Sequence, residues 1–392
     1  MMSEDGRDLR PGHQVLDEAA AFVSRFAVFP SDAARDAVVL WAAHTHAVNA
    51  FGASPRLAVL SEGPASGKTR VLELTGMLSH DPVQEVDLTG PALVALTDQR
   101  QPTVLLDETD TIFGTHGGSS HAALRSVLNA GYKQGATVTR RTGGTYGRMR
   151  IYGPVAFGGL GILPGALLTR CVVIRMRPRR PEDLIESYYP RIHAPMGMAI
   201  GEAFGSWVTS VTLDLASAWP ALPDGVQDRP AEIWEPLLAV ADAAGGSWPD
   251  RARAACTELV LGNRTEPVLS PGERILADLL DVWRPSEDKL PTAEIITRLF
   301  ALPGAPWAAL WSPDAAPREL SALVSVRGVR PVKIRMKDRT MQGYRRADFA
   351  PLWPQVRALP PATRDARTPE ADVLDVPVVP ESDAEPLAMA AK

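Results

Sequence analysis

Apolar and polar positions change rhythm twice along the chain. Val15 to Phe26 carries apolar residues at helical spacing, and Ser31-Asp32 is an N-cap signal for a second helix running to about Ala50. From Arg56 onward, short apolar runs alternate with amphipathic ones. Strands are predicted at Arg56–Leu60, Val83–Leu88, Thr103–Leu106, Pro154–Phe157 and Cys171–Met176. Helices are predicted after Lys68 to about Leu78, at Pro91–Thr97 and at Ser120–Tyr132. Two further β-rich runs, Ala136–Arg141 and Arg148–Tyr152, flank Thr142-Gly143-Gly144-Thr145. Strands that alternate with helices predict an α/β fold, a mostly parallel sheet with helices on both faces.

After Arg180 the rhythm becomes helical, most clearly at Ile200–Trp219 and Ala231–Ala244, with Pro236 placed to kink the second. From Pro271 three helices (Glu273–Trp283, Thr292–Phe300, Arg318–Val326) precede two short strands, Val332–Met336 and Met341–Tyr344. Three helices and a basic hairpin predict a small winged-helix-like domain. The chain therefore divides into a flexible tail (1–12), a core with N-terminal helices (13–180), a helical lid region (181–267), the winged-helix-like unit (268–358) and a disordered tail rich in Pro and acids (359–392).

Composition changes little in this picture. The 392 residues are 45% hydrophobic and 22% charged, with a net charge of -5, so the chain as a whole is no obvious polyanion binder. Two distant cysteines, Cys171 and Cys256, offer no disulfide framework and fit a reducing compartment. A polar N-terminus without an apolar signal core and the lack of a membrane-length apolar run predict a cytoplasmic protein with no membrane partner. His44 and His46 share a helix but point to different faces, which suits packing better than joint metal ligation.

Chemistry enters at Ser61-Glu62-Gly63-Pro64-Ala65-Ser66-Gly67-Lys68-Thr69, set between an apolar strand and a helix start. Strand, small-residue loop and helix N-terminus together predict a phosphate-binding loop. The contacts expected for ATP run from Gly63 through Pro64, Ala65, Ser66 and Gly67 to Lys68, Thr69 and Arg70. Lys68 would reach the β/γ-phosphates and the Thr69 hydroxyl would bind Mg²⁺. The full pattern G-x-x-x-x-G-K-[ST] wants glycine where Glu62 stands. Next, Val104-Leu105-Leu106 ends in Asp107-Glu108. Asp107 would hold the Mg²⁺ shell and Glu108 would orient and activate water. One intervening strand is the order of the P-loop ATPases with an added central strand, an AAA-like core.

Arg170, just before the strand at Cys171, is placed to act as an arginine finger on a neighbouring subunit. Asp228 is placed to cap a helix, and Arg229 beside it to fold back on the nucleotide as a lid sensor, with Arg251 and Arg253 as competing candidates. Val155–Gly161 offers no polar γ-phosphate sensor; a backbone group or Thr109 would have to substitute. Arg140, Arg141, Arg148 and Arg150 cluster around the Gly-Gly turn, where ring helicases insert a pore hairpin. Lys333, Arg335 and Lys337 lie in the C-terminal hairpin, a second candidate for nucleic acid.

Taken together, these runs resemble a family of uncharacterised P-loop ATPases from phage, plasmid and actinobacterial-type replication modules, often encoded near or fused to primase-like domains. The resemblance rests on Ser61–Thr69, Leu105–Asp110, Leu128–Tyr132, Gly159–Gly161, Asp228–Leu238 and Gly343–Arg346, and it spans about Phe22 to Trp353. It implies a core like that of ring-forming replicative helicases, with ATP and Mg²⁺ as cofactors. It also implies a homo-oligomer such as a hexamer, and a primase or other replication partner. Glu62 is normal in that family. The expectation is an ATP-driven motor on single-stranded or duplex DNA, a helicase or replication-associated translocase. The alternatives are an ATP-switched DNA-binding regulatory module and a kinase-like transferase.

Overall fold

β1 (Arg56–Ser61) is buried at all six positions and forms the spine of the molecule. It is preceded by α1 (Gly12–Phe26) and by α2 (Asp32–His44), which Ser31 caps and which continues as a 3-10 turn over Thr45–Ala50. Then come α3 (Lys68–Leu78), β2 (Pro82–Glu85), α4 (Gly90–Arg100) and β3 (Thr103–Leu106). α5 (Thr109–Phe113) and α6 (Ala122–Ala130) lead to a hairpin of β4 (Thr137–Thr142) and β5 (Thr145–Arg150). β6 (Val155–Leu160), α7 (Gly165–Leu168) and β7 (Cys171–Arg175) complete the strand-rich region. α8 (Pro190–Ser217), α9 (Asp228–Ala244) and α10 (Trp248–Leu261) follow. The computed structural model describes residues 10–354, apart from 62, 64, 86–87, 114–121, 143–144, 161–162, 263–270, 304 and 337–338. The tail assigned to 359–392 and most of that assigned to 1–12 lie outside the described residues.

Five strands form one parallel sheet in the order β2-β3-β6-β1-β7. Both faces are covered, which is why its central strands read as unbroken apolar runs. On one face Leu57, Val59, Leu105, Ala156, Val172 and Ile174 pack into a core shared with α1, α2, α3 and α8–α10. On the other, Ala58, Leu60, Val104, Leu106 and Phe157 pack against α4, α6 and α7. The fold is thus α/β, a five-stranded parallel sheet flanked by helices, as the strand–helix alternation predicts. The region set apart as 181–267 shares its apolar core with the N-terminal helices, so the composition change near Arg180 is not a break in packing.

A second apolar core belongs to the C-terminal elements. These are α11 (Pro271–Val282), β8 (Lys289–Pro291), α12 (Thr292–Phe300), α13 (Trp307–Leu310) and α14 (Ala316–Ser325), then β9 (Val332–Met336), β10 (Arg339–Arg345) and α15 (Arg346–Phe349). Their strands form an antiparallel sheet in the order β8-β10-β9. Among the described residues no helix is long and apolar enough to cross a membrane.

Besides the short β8 and α13, which the sequence pattern does not predict, α8, α10 and the start of α9 depart from expectation. α8 starts at Pro190, well before Ile200, because Gly197 and Gly201 supply close contacts with α3 where an apolar stripe would have larger residues. A Cβ on Gly201 would lie 2.5 Å from Met77 O. α10 has no counterpart in the sequence reading: it buries the small residues Ala252, Ala255 and Cys256. Asp228 does not cap α9. It is the first helical residue, at φ +54°, and Gln227 holds the N-cap position.

Candidate functional site

The loop after β1 is built by two left-handed residues, Ala65 at φ +58° and Gly67 at φ +83°. Gly67 is the residue before α3, and its carbonyl accepts the first helical bond from Val71 N at 3.0 Å. Its φ favours glycine, since a Cβ there is strained whatever the space. Lys68 opens α3 and turns back across the loop. Its Nζ donates to Ser61 Oγ at 2.6 Å, to Ser66 Oγ at 3.1 Å and to Gly63 O at 3.3 Å. Thr69 is exposed beside it. Arg70 faces elsewhere: it pairs with Glu73 and its guanidinium lies 4.1 Å from the Tyr188 ring centroid. Pro64, like Glu62, lies outside the described residues.

Two strands away, β3 ends at the same edge of the sheet. Asp107 is half-buried and its Oδ1 accepts from Glu108 N at 2.9 Å. Glu108 is exposed and left-handed, at φ +54°. For a glutamate this backbone costs energy, on the order of 1 kcal/mol or more, and such residues gather at functional sites.

β6 lies between β1 and β3, and its Gly158-Gly159 pair lets the two halves close. A Cβ on Gly158 would fall 2.4 Å from Leu72 Cδ1 on α3 and 2.9 Å from Asp107 Oδ1. A Cβ on Gly159 would fall 2.2 Å from Thr109 Oγ1. Thr109, itself buried, donates from Oγ1 to Gly158 O at 3.2 Å. The helix that carries Lys68 and the strand end that carries Asp107 therefore meet over two glycines, and Thr109, at the start of α5, sets its hydroxyl against β6.

The two arginines expected at the nucleotide lie together, at the opposite edge. Arg170 precedes β7, and Arg56 N at the start of β1 donates to Arg170 O at 2.9 Å. The loop follows Ser61, at the other end of β1, about 17 Å away at the usual rise per residue. The Arg170 guanidinium lies 5.0 Å from the buried Tyr132 ring and that of Arg229 lies 5.2 Å from it. Arg229 Nη1 donates to the Tyr132 hydroxyl, which reaches Glu232 Oε2 at 3.4 Å. Lys133 pairs with Glu232, and that hydrogen bond raises the Lys133 pKa. Beneath them Arg56 is fully buried, and burial lowers its pKa to about 10. The competing arginines are structural: Arg251 bridges Asp17 and Asp36, and Arg253 pairs with Asp242.

The hairpin β4–β5 has one docked face and one free one. Val138 and Met149 are partners across it and pack on the core; Arg140, in register with Gly147, shares their side. Arg141, Arg148 and Arg150 are exposed on the other. In the C-terminal sheet, Lys333 and Arg335 are exposed on β9 while Ile334 between them is buried. Lys337 lies outside the described residues.

The residues present fit a magnesium–nucleoside triphosphate. The loop offers a lysine and a fresh helix N-terminus; Thr69 and Asp107 offer the one hydroxyl and one carboxylate that Mg²⁺ commonly takes from protein. Sequence reasoning assigned no role to Tyr132, Glu232, Gly158 or Gly159. All four occur in or beside runs that carry the family resemblance, but only packing reveals what they do.

Residues 175–355 match a family described as a protein of unknown function, DUF3631. The chain is also 32% identical over 191 residues to an uncharacterized 28.9 kDa protein in the xis 5' region of Saccharopolyspora erythraea, a match that takes in 48% of this chain and 71% of that protein. With α8–α10 and the whole C-terminal unit inside the matched stretch, the chain belongs to this uncharacterised family, DUF3631.

Proposed function

We propose that this chain is a P-loop ATPase of the AAA-like type, working as a homo-oligomeric motor on nucleic acid, a helicase or replication-associated translocase. The observation that carries the reading is the meeting of α3, which opens with Lys68, and the Asp107 carboxylate over Gly158 at the carboxyl edge of a parallel sheet, where open α/β folds bind nucleotides. In this reading the loop and Lys68 hold the triphosphate, Thr69 and Asp107 hold Mg²⁺, and Glu108 orients and activates the attacking water. The bound triphosphate supplies the scissile phosphoryl group. Arg170 stands too far from its own loop to serve it, so it serves a neighbour's, stabilising the charge that develops at the transferred phosphoryl. Arg229, held to the same tyrosine, goes with it, which moves it from a sensor in cis to a group in trans.

The C-terminal unit supports the nucleic-acid half of the proposal. Its order of helix, strand, three helices and two strands, with β8 paired to β10, supports a winged-helix reading in which Lys333 and Arg335 lie on the wing strand. A second reading, an ATP-switched DNA-binding module with low turnover, is favoured by the glycines where ring ATPases carry a polar sensor on β6.

ATP turnover with and without single- and double-stranded DNA and RNA, alongside strand displacement and mass with and without nucleotide, separates the readings. A motor turns over faster on nucleic acid. Turnover indifferent to every nucleic acid, with no strand displaced, refutes the motor. Slow turnover with ATP-dependent assembly selects the switch. Lys68→Ala abolishes turnover in either case.

A further inference from the structure

Tyr146 is the one residue of the hairpin whose exposure runs against its chemistry: an aromatic ring left 75% exposed. The register explains what surrounds it. Arg141 is its direct cross-strand partner, and Thr139 pairs with Arg148, two residues along the same strand as Tyr146. Side chains two apart share a face, so Arg141, Tyr146 and Arg148 stand on one side of the ribbon, and Arg140 on the other. That side faces solvent: Arg141, Tyr146, Arg148 and Arg150 are all exposed. Arg148 rests on the neutral Thr137 hydroxyl at 3.0 Å, and no described carboxylate pairs with it or with Arg141.

The ribbon itself is anchored. Val138 and Met149 pack on the sheet's core, and Arg150 N donates to Asp98 Oδ1 at 2.8 Å. An exposed ring set between two arginines on a fixed ribbon is a poor surface for water and a good one for an unpaired base. Its face stacks on any base, and the flanking cations meet the phosphates on either side. A duplex hides its base faces and would gain only the charges.

We propose that Tyr146 is a base-stacking residue, that Arg141 and Arg148 are its phosphate partners, and that this face of the hairpin binds single-stranded nucleic acid in preference to duplex. The proposal rests on the nucleic-acid reading above and adds the ligand form and the residue that selects it.

Fluorescence anisotropy of the full chain with labelled oligothymidylate and with a duplex of equal length tests it. Tyr146→Ala weakens single-strand binding about 5- to 150-fold, the range for loss of one stacked base, and leaves duplex binding within about twofold. Tyr146→Phe retains single-strand affinity, because the ring and not the hydroxyl makes the stack. Arg141→Ala shallows the salt dependence by about 0.7 for each phosphate that the arginine neutralises, whereas Tyr146→Ala leaves that slope unchanged. The exposed position keeps the fold, so melting curves coincide. The proposal is overturned if Tyr146→Ala binds oligothymidylate like the wild type, if it loses both ligands equally, or if Tyr146→Phe falls as far as Tyr146→Ala. A wild-type chain that binds neither ligand overturns the nucleic-acid reading itself, including the case in which the hairpin docks a protein.

Discussion

Gly158→Ala tests whether the candidate site is built as described. The added methyl would sit 2.4 Å from Leu72 Cδ1 and 2.9 Å from Asp107 Oδ1, where carbon contacts settle at about 3.5–4.0 Å. Something must move by about 1 Å. Leu72 has no room, being fully buried between α3 and the sheet, so the displacement falls on α3 or on the end of β3. Overpacking of this kind costs about 1–3 kcal/mol. In a unit this large each kcal/mol lowers the melting temperature by about 2–4 °C. The functional cost is larger than the stability cost, because α3 carries Lys68 and β3 carries Asp107. A shift of about 1 Å between reacting groups costs turnover about a hundredfold. The assay pairs a thermal melt with Mg²⁺-dependent binding of a fluorescent ATP analogue and with phosphate release. Gly165→Ala is the control, since nothing lies within 4 Å of its Cβ. Adding Leu72→Ala to Gly158→Ala makes room and restores binding while the melt stays low, a coupling expected only of touching residues. A Gly158→Ala protein that melts and binds nucleotide like the wild type refutes the convergence of α3 and Asp107 over β6.

Further outcomes follow from the same geometry. Mixing Arg170→Ala with Glu108→Gln subunits restores part of the turnover that each lacks alone; mixtures that assemble but stay inactive count against action across an interface. Acid lowers stability through His44 and His46, whose pKa values burial holds down to about 4 from 6.5. The folded chain refuses the protons that the unfolded chain accepts near pH 6.5, so stability is full above that pH and falls toward pH 4. From pH 7 to pH 5 each imidazole costs about 2 kcal/mol. In urea unfolding at the two pH values, His46→Gln should lose about 2 kcal/mol less than the wild type; an unchanged pH dependence refutes the assignment.

The strands were legible because a sheet covered on both faces writes itself as apolar runs, and the loop because a strand, small residues and Gly-Lys-Thr occur in that order. Asp107-Glu108 was legible for the same reason, as acids ending such a run. The left-handed backbone at Glu108 was not, since nothing in its neighbours demands it. Nor was the pairing of Arg170 with Arg229. The two are far apart in sequence, and the residue that joins them, Tyr132, reads as the apolar end of a helix. α10 hid behind alanines: small residues that pack closely leave no stripe of large ones to count. β8, at three residues, is too short to show a period.

The placement of the Lys68 loop and the Tyr132 arginines at opposite ends of β1 gives the protomer a direction. A self-complementary patch shared by two copies about a two-fold axis cannot hold both edges when they face apart. In the proposed oligomer, copies would instead associate head to tail, the arginine edge of one meeting the loop edge of the next. Any such stack that stays open has one loop without arginines at its first copy and one arginine pair without a loop at its last. Its specific activity would then rise with length and level off, and reach one working centre per copy only on closure.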